Sequence, residues 1–327
     1  MEGFGAKNGT VQAFRPTISI VTPTLKRPTE VRELLLDLGQ QSVLPAEVII
    51  VDGIKDKDSE TERVVSDIQA VLPFAVKFIR KGGGTAIQRN AGIDAATGDL
   101  VAFIDDDVRL DQTFFEQILD VLTDPSNSDV GGVVGYRTNC HLDLETSPRW
   151  RWYRRLGLFK NFEPGRYDFQ CGYPINNSLQ PPFAGTREVD FMTTACAVWR
   201  RGVFDEGLRF DEFFRDFGVL EDAHFSLKAG RNWRLLQCGD AHCIELHSPN
   251  GREDRRKIGF KSVVNYHFVF RDIEGPLTFR QKYRFWRFQA FEAFRIASSA
   301  IRRLNPGDIA DLRGRVQGVW QVLTADR

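Results

Sequence analysis

Three consecutive carboxylates, Asp105-Asp106-Asp107, close an apolar run of strand length, Val101-Ala102-Phe103-Ile104. Unpaired charge is very costly to bury, so these acids need partners. The partners are basic side chains or a bound divalent cation, unless the triplet is a solvated acidic turn. Asp105 and Asp107 are two apart, which points both side chains the same way from an extended segment. A hard cation such as Mg2+ or Mn2+ suits one or two carboxylates completed by phosphate oxygens and water. Position favours a ligand site, because open parallel sheets bind ligands beyond the carboxyl ends of their strands. A zinc site at Cys238, His242 and Cys243 lacks a fourth ligand, and His242 reads as a core residue. Lys81-Gly82-Gly83-Gly84-Thr85 lacks the spacing of a P-loop, and no G-x-G-x-x-G follows the first strand. The glycines serve a close backbone approach or positive φ.

The elements around this triplet alternate. Thr17 to Thr22 is a strand ended by Pro23, and Pro28 opens a helix with Val31, Leu34, Leu35 and Leu38 on one face. Glu47 to Asp52 is a second strand, again ending in an acid. A polar helix from Asp58 to Ala70, a strand from Ala75 to Ile79 and a helix from Thr85 to Ala96 precede the triplet's strand. A helix from Asp111 to Leu122 and a strand from Val130 to Gly135 follow it. The pattern lapses between Cys140 and Arg187, then resumes with a strand from Val189 to Trp199. Glu221-Asp222 begins a helix, where acids are favoured. Trp233 to Leu236 and Cys243 to Leu246 are short strands. Such alternation predicts an α/β domain with a mainly parallel sheet.

The chain has 327 residues, with 44 acidic and 44 basic side chains, so overall charge argues neither for nor against nucleic acid, and no recognised motif supports a nucleic-acid partner. No apolar run approaches the ~20 residues of a membrane helix. Five scattered cysteines predict no disulfide framework, and a reducing cytosol is the default compartment.

Taken in order, Val21-Thr22-Pro23-Thr24, Val51-Asp52-Gly53, Gln88-Arg89-Asn90-Ala91-Gly92-Ile93, Phe103-Ile104-Asp105-Asp106-Asp107 and Glu221-Asp222 resemble the family 2 glycosyltransferases of GT-A fold. The resemblance spans roughly residues 17 to 250. It implies a Rossmann-like, mainly parallel sheet with helices on both faces. The expected divisions are a flexible lead at 1–16, a GT-A domain at 17–250 (nucleotide-sugar half 17–107, acceptor half 108–250) and a helical C-terminal appendage at 251–327. It further implies an inverting, metal-dependent enzyme that moves a sugar from a UDP-, GDP- or dTDP-sugar to a saccharide or lipid-linked saccharide. Asp105 and Asp107 would hold Mn2+ or Mg2+, Asp107 most directly, with Asp105 and Asp106 also placed to touch ribose or donor sugar. Asp52 would accept from the nucleobase, Thr22, Pro23 and Thr24 belong to the nucleotide side, and Arg89 would approach base or diphosphate. A mutual Asp52–Arg89 salt bridge is the structural alternative. This chain has Asp-Gly where many relatives have Asp-Asp-Gly-Ser. Asp222 would be the general base, oriented by Glu221, unless both simply cap a helix. His247 falls where some relatives add a metal or diphosphate contact.

Residues 276–303 hold Arg280, Lys282, Arg284, Arg287, Arg295, Arg302 and Arg303 against Glu292 alone. At ~100° per residue, Phe279, Tyr283, Trp286, Ala290, Phe294, Ala297 and Ile301 share a face. That stripe either docks on the catalytic domain or meets a membrane surface. Two rival functions stand. An aspartyl-phosphate phosphatase needs Thr or Val where Arg109 stands, and a degenerate relative would bind nucleotide or sugar without turnover.

Overall fold

A computed structural model describes residues 15–54, 59–215, 218–246 and 254–325. Strands β1 (Ile18–Thr24), β2 (Glu47–Asp52), β3 (Ala75–Arg80) and β4 (Leu100–Ile104) are parallel, in the order β3-β2-β1-β4. Every residue of β1, β2 and β4 is buried, which explains their apolar runs without alternation. The crossovers are α1 (Pro28–Leu38), α2 (Glu60–Ile68) and α3 (Thr85–Ala95). Val31, Leu34, Leu35 and Leu38 form the buried face of α1, as its spacing requires. Pro23 does not end β1. It stays in register with Val51 of β2, while pairing with β4 stops at Val21–Phe103. A residue without N–H is tolerated where one neighbour has already left.

The second half comprises β5 (Val108–Leu110), α4 (Phe114–Thr123), β6 (Val130–Arg137), α5 (Pro148–Arg155), β7 (Tyr167–Asp168), β8 (Tyr173–Pro174), β9 (Thr186–Glu188), β10 (Cys196–Arg200), α6 (Arg201–Asp205), α7 (Glu221–Ala229) and β11 (Arg234–Glu245). The sheet continues β4-β10-β6-β11-β5, with β9 on β11. Here β10 runs antiparallel to β4 and β6, so the whole sheet is mixed and its first half all parallel. The two strands expected at 233–236 and 243–246 are one, β11, whose register on β6 shifts between Gln237 and His242. The irregular 140–187 stretch carries α5 and a β7/β8 ribbon. Trp150, Tyr153 and Phe159 pack there with Phe288 in a second apolar core.

Three helices follow: α8 (Arg255–Glu274), α9 (Phe279–Arg303) and α10 (Pro306–Ala325). Thr278 and Gln281 form a reciprocal capping box at the start of α9. The expected apolar stripe is not the docking face of α9. Phe285, Phe288, Glu292 and Ile296 are buried, while Phe279, Tyr283, Phe294 and Ile301 are exposed. Aromatic residues surround this helix, so its sequence period alone does not select a face. Tyr153 donates to Glu292 at 2.6 Å and Arg149 pairs with it at 3.0 Å, which fixes the inward side. α10 lies close against α8, because Gly314 brings its backbone onto Arg256 and Phe260. Any Cβ at Gly314 overlaps the Arg256 carbonyl. Gly314→Val is therefore expected to cost about 3 kcal/mol, the upper end of overpacking, read as a lowered midpoint in urea. Among the described residues, no helix is long and apolar enough to cross a membrane.

Candidate active site

The carboxyl ends of β1, β2 and β4 open on one edge of the sheet, with Thr24 and Asp52 in register and Asp105 just past β4. Asp105 donates its backbone N–H to the Ala195 carbonyl ahead of β10 at 3.2 Å, which holds the acidic turn between strands. β5 then starts at Val108, so the chain reverses within the triplet and sends its side chains different ways.

Asp106 is buried and faces α1. Its two carboxylate oxygens accept from Thr24 Oγ1 and from Arg27 Nη1, each at 2.7 Å. Burial pushes this carboxyl up to about 6, against the pull of Arg27 and Thr24. Arg27 Nη1 also lies 3.5 Å from Asp107 Oδ2. Arg27 escaped the sequence reading, although a base directly after β1 and before α1 is a usable signal. Lys26 ahead of it has φ 56°, a strained left-handed position that turns the chain there.

Asp105 faces the other way, toward α3. Its Oδ1 accepts from Arg89 Nη2 at 3.0 Å, and Arg89 Nη1 reaches Glu221 Oε1 at 3.2 Å. Arg89 is buried, its guanidinium lies 5.7 Å from the Phe210 ring, and its Nε has no hydrogen-bond partner among the described residues. It thus ties the strand end at Asp105 to the start of α7, where Glu221 stands 132 residues beyond Arg89 in sequence. Thr85 Oγ1 donates to the same Glu221 oxygen at 3.0 Å. Gly83 and Gly84, at φ 118° and 102°, turn the chain into α3, which accounts for two of the three glycines.

Glu221 and Asp222 occupy the first turn of α7, after Leu220 at φ 71°. Burial, and next the Glu221 charge, push the Asp222 carboxyl up to about 7. Its Oδ1 accepts from the Ala223 N–H at 2.7 Å, and the Arg89 and Arg137 charges pull the other way. Arg137, at the end of β6, is buried against Glu245 and lies 3.3 Å from Thr193 Oγ1. It too was missed, since nothing local marks it. A Cβ on Gly218 would overlap the Glu221 carboxylate. Gly218→Ala should therefore displace Glu221 and lower turnover about tenfold or more, the scale of effect a small misplacement produces. Its unfolding midpoint should stay near wild type, as checked by thermal melts run beside the kinetics.

Asp52 does not pair with Arg89. Its oxygens accept from Ser59 Oγ at 2.8 Å and the Ile54 N–H at 3.0 Å, and each oxygen keeps a second lone pair. Gln88 Nε2 spans the ends of β1 and β2, donating to Thr24 and Val51 carbonyls. Thr22, Pro23 and Thr24 are all buried in β1, and Thr22 Oγ1 has no hydrogen-bond partner among the described residues. His242 is not a core residue: it is half-exposed and 3.5 Å from Asp111. His247 lies outside the described residues. Among the described residues, no three His, Cys, Asp or Glu side chains converge as a metal cage. Asp105, held by Arg89, and Asp107, beside Arg27, do not point the same way, against what their spacing predicts, while each carboxylate is a hard oxygen donor of the kind that suits a cation completed by phosphate and water.

A parallel half-sheet with an acidic strand end, continued by the antiparallel β10 and completed by a helix that starts in acids, is the arrangement expected of a GT-A glycosyltransferase. The chain belongs to glycosyl transferase family 2, whose model matches residues 19–208. It is 37% identical over 247 residues to an uncharacterized glycosyltransferase, YwdF, of Bacillus subtilis, covering 75% of this chain and 79% of that one. It is 26% identical to the GalNAc(5)-diNAcBac-PP-undecaprenol beta-1,3-glucosyltransferase of Campylobacter jejuni, covering 77% of this chain and 81% of the relative. Among solved structures, the mannosyltransferase PcManGT of Pyrobaculum calidifontis, in complex with GDP-Man and Mn2+, superposes with a TM-score of 0.58. That likeness covers 94% of this chain and 88% of PcManGT at 16% identity, and it shows the fold.

Proposed function

We propose that this glycosyltransferase is inverting and metal-dependent, moving a sugar from a UDP-, GDP- or dTDP-sugar to a saccharide or lipid-linked saccharide hydroxyl. One observation carries the reading. Buried Arg89 bonds both Asp105 and Glu221, and so sets the acidic strand end beside the start of α7. A donor side and an acceptor side then meet across one side chain.

In this reading residues 17–107 bind the donor, 108–250 shape the acceptor side and 251–327 form the appendage. Asp107 and Asp105 would hold Mn2+ or Mg2+, whose chemistry there is to offset charge on the departing diphosphate. Asp52 accepts a hydrogen bond from the nucleobase through its remaining lone pairs, while Gln88 keeps the ends of β1 and β2 together. Thr22, Pro23 and Thr24 form the wall beneath the nucleotide. Asp106 holds Arg27 in place, and Arg27 faces the diphosphate from the α1 side. Asp222 takes the proton of the acceptor hydroxyl as it attacks the anomeric carbon. A carboxyl pushed up to about 7 is a stronger base than an ordinary Asp and still ionised at slightly alkaline pH. Glu221 orients it through Arg89 and Thr85. His247 is kept as a further metal or diphosphate contact on its sequence position alone. The setting is cytoplasmic, in keeping with five cysteines that are all free thiols.

The test is donor hydrolysis and transfer across UDP-, GDP- and dTDP-sugars with Mn2+, Mg2+ or EDTA. Metal-dependent release of one nucleotide is expected. Metal-dependent nucleotide binding without any release, even with saccharide acceptors present, would favour the degenerate, binding-only reading.

A further inference from the structure

The C-terminal helices sort their charges by side. Between Pro276 and Ala325 the acids are Glu292, Asp308 and Asp311, and all three are buried. Glu292 faces Arg149 and Arg295, Asp308 faces Arg255 and Ser299, and Asp311 faces Arg315. The exposed charged residues of α9 are all cations, including Arg280, Lys282, Arg302 and Arg303. Among them stand Phe279, Phe294 and Ile301, at 87%, 69% and 77% exposure.

The irregular 140–187 stretch, inserted after β6, packs against α9 and adds exposed cations and aromatic residues of its own. α5 lies alongside α9, with the Tyr153 ring 5.7 Å from Phe291 and Arg287 donating to the Gly157 carbonyl. Its outward residues are Arg151, Trp152, Arg155 and Leu156, with Trp152 51% exposed and the Arg155 guanidinium 5.4 Å from its ring. Gln281 donates to the Phe169 carbonyl at 3.2 Å and ties the connection between β7 and β8 to the start of α9.

We propose that α5 and α9 together form a docking face for an anionic phospholipid bilayer. Aromatic side chains suit the headgroup boundary, and arginines beside them meet lipid phosphates. Charge complementarity selects this occupant: every acid of α9 and α10 is turned inward, α5 itself carries no acid, and the exposed acids nearby, Asp143, Glu145, Glu163 and Glu274, all lie outside the two helices, so the exposed cations of α5 and α9 have a negative surface to meet. Nucleic acid would engage the arginines but leaves Phe279, Phe294 and Ile301 without a partner. The insert begins directly after β6, whose last residue is Arg137 beside the site, so docking by α5 presents the acceptor side to the lipid surface. That consequence rests on the proposed transfer to a lipid-linked acceptor, whereas the docking itself does not depend on turnover.

The experiment is flotation of the full chain with phosphatidylcholine vesicles, with and without phosphatidylglycerol. Each sample is also assayed for donor hydrolysis. Wild type should float with anionic vesicles alone and be released by salt. Arg151→Glu with Arg155→Glu, and separately Trp152→Ser with Phe294→Ser, should each lower partition about tenfold or more, with donor hydrolysis unchanged. Arg32→Glu on α1 should float like wild type. Wild type that ignores anionic vesicles would overturn the proposal. So would α5 variants that bind like wild type, an Arg32 control that loses binding equally, or a wild-type dimer that these variants split in light scattering. Normal flotation with no donor turnover on any nucleotide sugar would sink the transferase reading and leave the docking face standing.

Discussion

Asp222→Asn turns over donor and acceptor about a hundredfold to ten-thousandfold more slowly than wild type, the range a positioned general base contributes. The amide keeps the shape and the Ala223 hydrogen bond but cannot accept the hydroxyl proton. Nucleotide binding, measured by calorimetry, should be unchanged, because the proposed role of Asp222 is toward the acceptor alone. The wild-type rate should rise with pH through about 7, where the Asp222 carboxyl ionises, and level off above it. Stability moves the opposite way. The folded carboxyl titrates above the ordinary 3.8, so between pH 4 and 7 the folded state binds more protons than the unfolded state. Stability is then lost as pH rises through that window. The Asn variant lacks this loss and should melt above wild type at pH 8 but not at pH 4. A variant that is inactive and more stable at alkaline pH separates a strained functional carboxylate from a helix cap, whose removal would destabilise.

Asp107→Ala, or chelation of the wild type with EDTA, should reduce transfer on the order of a thousandfold, equivalent to several kcal/mol of lost charge stabilisation. The independent readout is Mn2+ binding followed by electron paramagnetic resonance, which should weaken in Asp107→Ala and in Asp105→Ala. Asp106→Asn should instead perturb the Arg27–Thr24 cluster and leave Mn2+ binding close to wild type, since its carboxylate is occupied on the α1 side. Equal loss of Mn2+ in all three variants, or full activity in EDTA, would contradict this division of the triplet.

The parts of this picture that were legible in the sequence share a physical cause. β2 and β4 are buried on both faces, so their apolar runs and terminal acids stand out, and α1 shows its inner face at helical spacing. Glu221-Asp222 reads as a helix start because acids suit that end. What stayed hidden depends on contacts distant in sequence. Arg89 was visible within its motif, yet its joining of Asp105 to Glu221 follows only from folding. Arg27 and Arg137 gain their meaning from acids far along the chain, and Gly218 from the Glu221 carboxylate it makes room for. Pro23 was misleading because its cost depends on whether β4 still pairs beside it. The docking face of α9 was hidden for a different reason: Phe and Trp surround the helix, and it is Tyr153 and Arg149 of the insert that draw Glu292 inward.

The most direct test of the central claim is the anomeric configuration of the first product, read by proton NMR during turnover of a donor of known configuration. One base on α7 and an acceptor attacking opposite the departing diphosphate predict inversion. A product of retained configuration would require a second displacement at the sugar and would contradict the role given to Asp222.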